Sequence, residues 1–227
     1  MKRELQITGD GSSTFFVPEM NVTYHSKYGA VQESMHVFID TGLSQALSSN
    51  SFSLDQPIYI FEMGFGTGLN ALLSLREAVN RNQEIFYQSV ELFPLTANEW
   101  LQLNYATQLN DNSLQNYFLQ MHTCAWEKDI VIHPLFILHK TKQTLLNFSA
   151  CQLFNVIYFD AFEPGVQPEL WTKEVFEKMF LLLHDKGVLV TYCSKGDVRR
   201  AMLAAGFSIE KVPGPPGKRE MIRAKKV

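Results

Sequence analysis

Phe61-Glu62-Met63-Gly64-Phe65-Gly66-Thr67-Gly68-Leu69-Asn70 decides how this chain is read. An apolar run, Pro57-Ile58-Tyr59-Ile60-Phe61, precedes the alternating glycines, and a helix-like segment, Leu69–Val79, follows them. Strand, glycine turn and helix in that order present backbone N–H groups to a nucleotide-like ligand. Gly64, Gly66 and Gly68 carry no Cβ, so a ligand can touch the main chain there. Glu62 adds a carboxylate two positions before the first glycine. That charge suits a cation better than a phosphate. S-adenosylmethionine has such a cation in its α-ammonium, and dinucleotides do not.

A rival reading uses the same glycines. Gly66-Thr67-Gly68-Leu69-Asn70-Ala71 also fits the dinucleotide pattern Gly-x-Gly-x-x-Ala. Glu91 ends a second candidate strand, Ile85–Glu91, where a ribose-binding acid belongs, and it serves either cofactor. A glycine turn that binds nothing would not need Glu62 and Glu91 both in register. A P-loop is excluded, because no Gly-Lys-Ser/Thr follows.

From Pro57 the pattern alternates between strand and helix. Strands are expected at 57–62, 85–91, 135–138, 154–160 and 188–193. Helices are expected at 68–81, 94–109, 144–148, 169–183 and 196–205, with 112–128 helical or loop. This alternation predicts a parallel, doubly wound sheet. Phe207–Val212 and Arg219–Ala224 are two further strands joined by Pro213-Gly214-Pro215-Pro216-Gly217. So short a link cannot make a parallel crossover and forces a hairpin, with one strand antiparallel to the sheet. That ending is the Rossmann-like plan of class I methyltransferases, and it separates this chain from a dinucleotide fold.

Residues 1–50 are read as an extension. Leu5–Thr8 and Thr14–Val17 flank a turn at Asp10-Gly11-Ser12, a hairpin signal. Tyr24–Gly29 is loop-like, and His36–Ile39 enters a short strand or a helix. Ser48–Gln56 is the best linker, so the domain boundary is set between 1–50 and 51–227.

A second site motif is Asp160-Ala161-Phe162-Glu163-Pro164, at the end of the fourth core strand. In open α/β sheets the carboxyl ends of strands line the ligand crevice. Asp160 therefore faces the same crevice as Glu62, Gly66 and Glu91. A carboxylate can hold an amine and bias it to its neutral, nucleophilic form. Phe162 can stack on a base, and Pro164 stiffens the loop. The bland alternative makes Asp160 a cap and Phe162 a core residue.

The 227 residues are 46% hydrophobic and 19% charged, as in an ordinary globular protein. No apolar leader opens the chain, and no run approaches ~18 apolar residues, so a cytoplasmic location away from the membrane is expected. Cys124, Cys151 and Cys193 are scattered and read as reduced, buried thiols. His122, His133 and His139 have no metal-ligand spacing. From Arg199 onward, eight Lys/Arg face only Glu210 and Glu220, a local +6 in a chain of net charge −3. A basic end on an acidic body suits a polyanion, although a solvated strand explains it as well.

Four motifs in order resemble the MnmC-type tRNA methyltransferase family. They are Glu62–Asn70, Glu91–Thr96, Phe159–Pro164 with Pro168–Trp171, and Gly217–Met221. Gly29–Phe38, which contains Glu33, looks like that family's N-terminal segment. The resemblance implies S-adenosylmethionine as cofactor and methylation of the aminomethyl group at carbon 5 of the wobble (2-thio)uridine of tRNA. It implies a cofactor site of Glu62, Gly64, Gly66, Gly68, Asn70 and Glu91, with Asp160 between cofactor and amine. Glu33, Phe162, Pro164, Trp171, Lys218 and Arg219 are its implied substrate-side residues. Family members with two domains carry a flavin-dependent oxidase that makes the amine. This chain resembles the methyltransferase part alone, so a separate upstream partner is expected. Family members show Gly-Asp where this chain has Lys140-Thr141, which leaves the adenine contact open. A small-molecule N-methyltransferase or an aminopropyltransferase-like enzyme is the alternative.

Overall fold

The computed structural model describes residues 1–48 and 56–227, so most of the expected linker and its boundary lie outside the described residues. Strands β1 (Glu4–Ile7), β2 (Ser13–Val17) and β3 (Val22–Thr23) form a small antiparallel sheet, the expected hairpin with one more strand. The main sheet contains β4 (Ile58–Met63), β5 (Ile85–Val90), β6 (Asp129–His133), β7 (Phe136–Thr141), β8 (Phe154–Phe159), β9 (Leu183–Thr191), β10 (Ser208–Pro213) and β11 (Glu220–Lys225). Its order is β10-β11-β9-β8-β4-β5-β7-β6. The five central strands, β9 to β7, run parallel, and β11 is antiparallel to β9. This is the expected class I plan.

Both faces are covered, so the core strands are apolar on both sides. β8 is buried at every position. Its Val156 and Tyr158 pack in one core with Ile60, Leu72 and Tyr87. Its Ile157 and Phe159 pack in the other with Phe61, Phe176 and Met202. Helices Leu69–Arg81 and Leu114–Thr123 contribute to the first core, and helices Lys173–Leu182 and Gly196–Ala204 to the second.

His36–Ile39 enters a helix, one of its two expected alternatives, and other local readings are corrected. Residues 30–48 are continuously helical, as α at Ala30–Ser34, π at Met35–Ser44 and α again at Gln45–Ser48. Val37, Phe38, Ile39 and Leu43 bury in the first core. Gly42 lets this helix reach the sheet, since a Cβ there would lie 2.9 Å from Val190. The helix expected at 94–109 is broken into Ala97–Trp100 and Tyr105–Gln108. Between them Asn104 turns to the N-terminal hairpin, donating to Gly11 O and accepting from Ser13 N. Thr144–Phe148 is a hydrogen-bonded turn rather than a helix. β6 was not anticipated; it pairs antiparallel with β7 at the sheet edge. Of the cysteines only Cys193 is buried, and Cys151 is exposed. No helix among the described residues is long and apolar enough to cross a membrane.

Candidate functional site

A crevice of about 720 Å³ opens over the carboxyl ends of the parallel strands. Consecutive strands β8, β4 and β5 deliver Asp160, Glu62 and Glu91 to it. The small N-terminal sheet and Tyr24 form its opposite wall.

The glycine turn is built as its sequence implies. Gly64, Gly66 and Gly68 have φ of +89°, +50° and +75°, a region other residues enter only with strain. Glu91 clamps the turn: its Oε2 accepts from Gly66 N at 3.0 Å, and its Oε1 from Phe93 N at 2.7 Å. A Cβ on Gly66 would press on the Tyr24 ring at 3.3 Å.

Glu62 is almost fully buried, at 1% exposure, and its Oε2 has no hydrogen-bond partner. Burial pushes its carboxyl well above the usual range, and the neighbouring Asp160 pushes it further. Asn70, on the first turn of helix Leu69–Arg81, donates to Asp160 Oδ2 at 2.9 Å. The Asn70 Oδ1 is also buried and unpartnered. Two polar oxygens are thus left waiting for a donor, a costly arrangement without a ligand.

Asp160 follows β8 directly and is partly exposed to the crevice. Burial, then the nearby Glu33, raises its carboxyl to about 7, against a lowering by Asn70 and Lys218. Glu33 is buried from the N-terminal helix and accepts from Ser26 N at 2.7 Å. It pairs with Lys218 Nζ at 3.1 Å. The same ammonium lies 3.8 Å from the centre of the Tyr192 ring, and Tyr192 donates its hydroxyl to Ala161 O. Residues 33, 160, 192 and 218, far apart in sequence, form one chamber.

The other expected residues divide. Phe162 lines the crevice and meets Tyr24 edge-on at 5.2 Å. Trp171 lies behind it, donating Nε1–H to Phe162 O at 2.8 Å, so it holds the loop rather than facing the crevice. Pro164 belongs to the same loop but is not among the crevice-lining residues. Arg219 is exposed in a shallow depression with Ser194, Lys211 and Glu220, which Lys218 borders on one side while lining the crevice on the other.

The basic end is less free than its composition suggests. Lys211, Lys225 and Lys226 pair with Glu220, Glu210 and Asp185, and Arg200 and Arg223 with Asp197 and Glu210. Among the described residues of this segment, Arg199 and Arg219 make no ion pair within 4.0 Å.

Tyr24 and Arg3 were not singled out from sequence. Arg3 donates to Tyr24 Oη at 2.8 Å, pairs with Glu99 at 3.1 Å and donates to Phe93 O at 2.5 Å. It ties the crevice's far wall to the segment after Glu91. Tyr192 was legible in principle, as it closely follows a strand that borders β8.

Residues 104–227 match the family model described as S-adenosyl-L-methionine-dependent methyltransferase. A bifunctional protein of Aromatoleum aromaticum, named tRNA 5-methylaminomethyl-2-thiouridine biosynthesis bifunctional protein MnmC, is 31% identical over 89% of this chain and 32% of its own length. The protein of the same name from Cupriavidus metallidurans is 29% identical over 96% of this chain and 33% of its own. The chain thus spans about a third of the length of the curated relatives it matches. The crystal structure of MnmC2 from Aquifex aeolicus superposes with a TM-score of 0.81 at 23% identity, covering 100% of this chain and 70% of that one. That likeness confirms the fold.

Proposed function

The chain belongs to the S-adenosyl-L-methionine-dependent methyltransferase family, and on that premise we propose that it methylates the aminomethyl group at carbon 5 of the wobble (2-thio)uridine of tRNA. The observation that carries the amine acceptor is Asp160, held by Asn70 at the crevice and poised near pH 7. The relatives' printed name supports the nucleoside.

The residues fit the cofactor. Glu62 Oε2 and Asn70 Oδ1, buried without partners, suit an ammonium group. Gly64, Gly66 and Gly68 leave the turn bare for close approach, and Glu91 has lone pairs left for ribose hydroxyls. When bound, the cofactor supplies a methyl group on a positively charged sulfur.

Asp160 takes the proton that an incoming ammonium must lose, which leaves the nitrogen lone pair free to attack. Glu33 and Asp160 together make the chamber favourable for a cation before that transfer. Lys218 limits this charge and fixes Glu33. The rest of the catalysis is positioning within a shielded crevice. Phe162 and Tyr24 offer flat apolar surface for the uracil ring. Among the described residues of the basic end, Arg199 and Arg219 are left without an ion pair and are the ones offered to tRNA phosphates. Pro164 and Trp171 act by shaping the Phe162 loop.

An enzyme that supplies the aminomethyl group acts upstream, by a flavin-dependent oxidation of a carboxymethyl precursor, and the reaction takes place in the cytoplasm. In this reading the N-terminal strands, with Tyr24, wall the crevice of the methyltransferase unit. A second reading, methylation of a small amine, is favoured by the extensive ion pairing of the basic end. Incubation with labelled S-adenosylmethionine and tRNA lacking the modification separates the two. Label in the wobble nucleoside supports tRNA, and label only in small amines overturns it.

A further inference from the structure

Strands β8, β4, β5 and β7 are consecutive in the sheet, and their carboxyl ends line one crevice. The first three deliver Asp160, Glu62 and Glu91. An extended ligand that follows this order from methyl to ribose places its base at the fourth end, after β7. No acid stands there. Lys140 is 1% exposed and turns away, donating to Met121 O at 2.5 Å with its ammonium over the Trp126 ring. Thr141 is also buried, and its carbonyl accepts from Glu91 N and Gln143 N. The crevice at this end is lined instead by Leu92, Phe93, Gln143, Thr144, Leu145 and Leu146. Four are apolar, which suits a flat heteroaromatic ring. Thr144 Oγ accepts from Asn147 N. Gln143 is partly exposed, and its carboxamide bonds to no described residue.

We propose that Gln143 reads the purine base of the cofactor, and that its neutral amide makes this reading permissive at position 6 of the ring. The inference rests on the cofactor assignment above. An amide carries an acceptor and a donor side by side. It can accept from a 6-amino group and donate to a ring nitrogen, as Asn and Gln do with adenine. Turned over, it can donate to a 6-oxo group and accept from a ring N–H. A carboxylate only accepts, so it would favour the amine and repel the oxo group.

The test is calorimetry with S-adenosyl-L-homocysteine and S-inosyl-L-homocysteine on the wild-type chain, Gln143→Glu and Gln143→Leu. The wild type should bind both within about tenfold of each other, the scale of one neutral hydrogen bond. Gln143→Glu should widen that ratio at least tenfold in favour of the adenosyl compound. Gln143→Leu should weaken both by similar factors. Because the Gln143 side chain makes no internal hydrogen bond, and its backbone bond to Thr141 O survives substitution, the ligand-free melting points should agree. A ratio unmoved by Gln143→Glu, in a chain that binds the adenosyl compound, overturns this inference alone. A wild-type chain that binds neither compound overturns the cofactor assignment and this inference together.

Discussion

Asn70 donates its side-chain amide to Asp160 Oδ2 at 2.9 Å and is also close enough to Glu62 to lower that carboxyl's proton affinity. One residue on the first turn of a helix thus joins the proposed cofactor end of the crevice to its proposed amine end. Two carboxyls are held near each other with their charge poorly compensated. Such an arrangement costs stability and is kept where a cationic ligand relieves it.

The stability cost at Asp160 has a definite pH signature. In the folded chain its carboxyl titrates at about 7, against 3.8 for the ordinary group. The folded state therefore holds more protons between these values, and stability falls as pH rises through that window. Asp160→Asn should stabilise the ligand-free chain by about 1–3 kcal/mol at about pH 8, and by nothing near pH 3. Urea midpoints at the two pH values check this.

The same substitution should damage turnover. A general acid–base group contributes ~10²–10⁴-fold, so Asp160→Asn should lose that much in kcat with cofactor affinity changed far less. In the wild type the rate should rise with pH up to about 7, as Asp160 loses its proton. A pH–rate profile of kcat/KM reports the limb, which should vanish in the variant.

Glu62→Gln removes the buried charge. Burial and Asp160 push its carboxyl up, so the ligand-free variant should gain in melting temperature over the wild type as pH rises. Cofactor affinity should fall by ~10–100-fold, because a charge-assisted hydrogen bond to the ammonium becomes a neutral one. Melting curves with and without S-adenosylmethionine give both numbers.

Gly66→Val should abolish cofactor binding. The site has φ of +50°, and a Cβ would meet Tyr24 at 3.3 Å. The branched side chain is strained there and displaces the Gly66–Glu91 clamp as well. Calorimetry with S-adenosylmethionine, and with NAD as the control for the rival cofactor, checks it.

The basic residues should separate by role. Arg199→Ala with Arg219→Ala should raise KM for tRNA and flatten its salt dependence, since fewer counterions are released. Lys218→Ala should leave the salt slope nearly unchanged and lower kcat, because its charge is already spent on Glu33 and Tyr192. Activity against tRNA concentration at three salt levels distinguishes them.

The sheet and its crevice were legible because both signals are local. Apolar runs bounded by glycine and proline mark β4, β5, β8 and β9, and strand ends mark Glu62, Glu91 and Asp160. The Pro213–Gly217 link forced the hairpin. What stayed hidden depends on contacts distant in sequence. The helix at 30–48 is set by burial of Phe38 and the close approach of Gly42 to Val190, which no short window contains. The neutralising pairs Lys218–Glu33 and Arg223–Glu210 cannot be read from a charge count. β6 did carry a signal, the β-branched run Ile130-Val131-Ile132, but its exposed position holds apolar Val131, so the burial of Ile130 and Ile132 shows no apolar–polar alternation in the sequence.

The most direct measurement is nucleoside mass spectrometry of tRNA that carries the unmethylated aminomethyl group, after incubation with S-adenosylmethionine and either wild-type chain or Asp160→Asn. The account predicts one added methyl group on the wobble uridine with the wild type and a loss of ~10²–10⁴ in rate with the variant. An unmethylated wobble uridine from a chain that binds S-adenosylmethionine, or equal rates for the two chains, would contradict it.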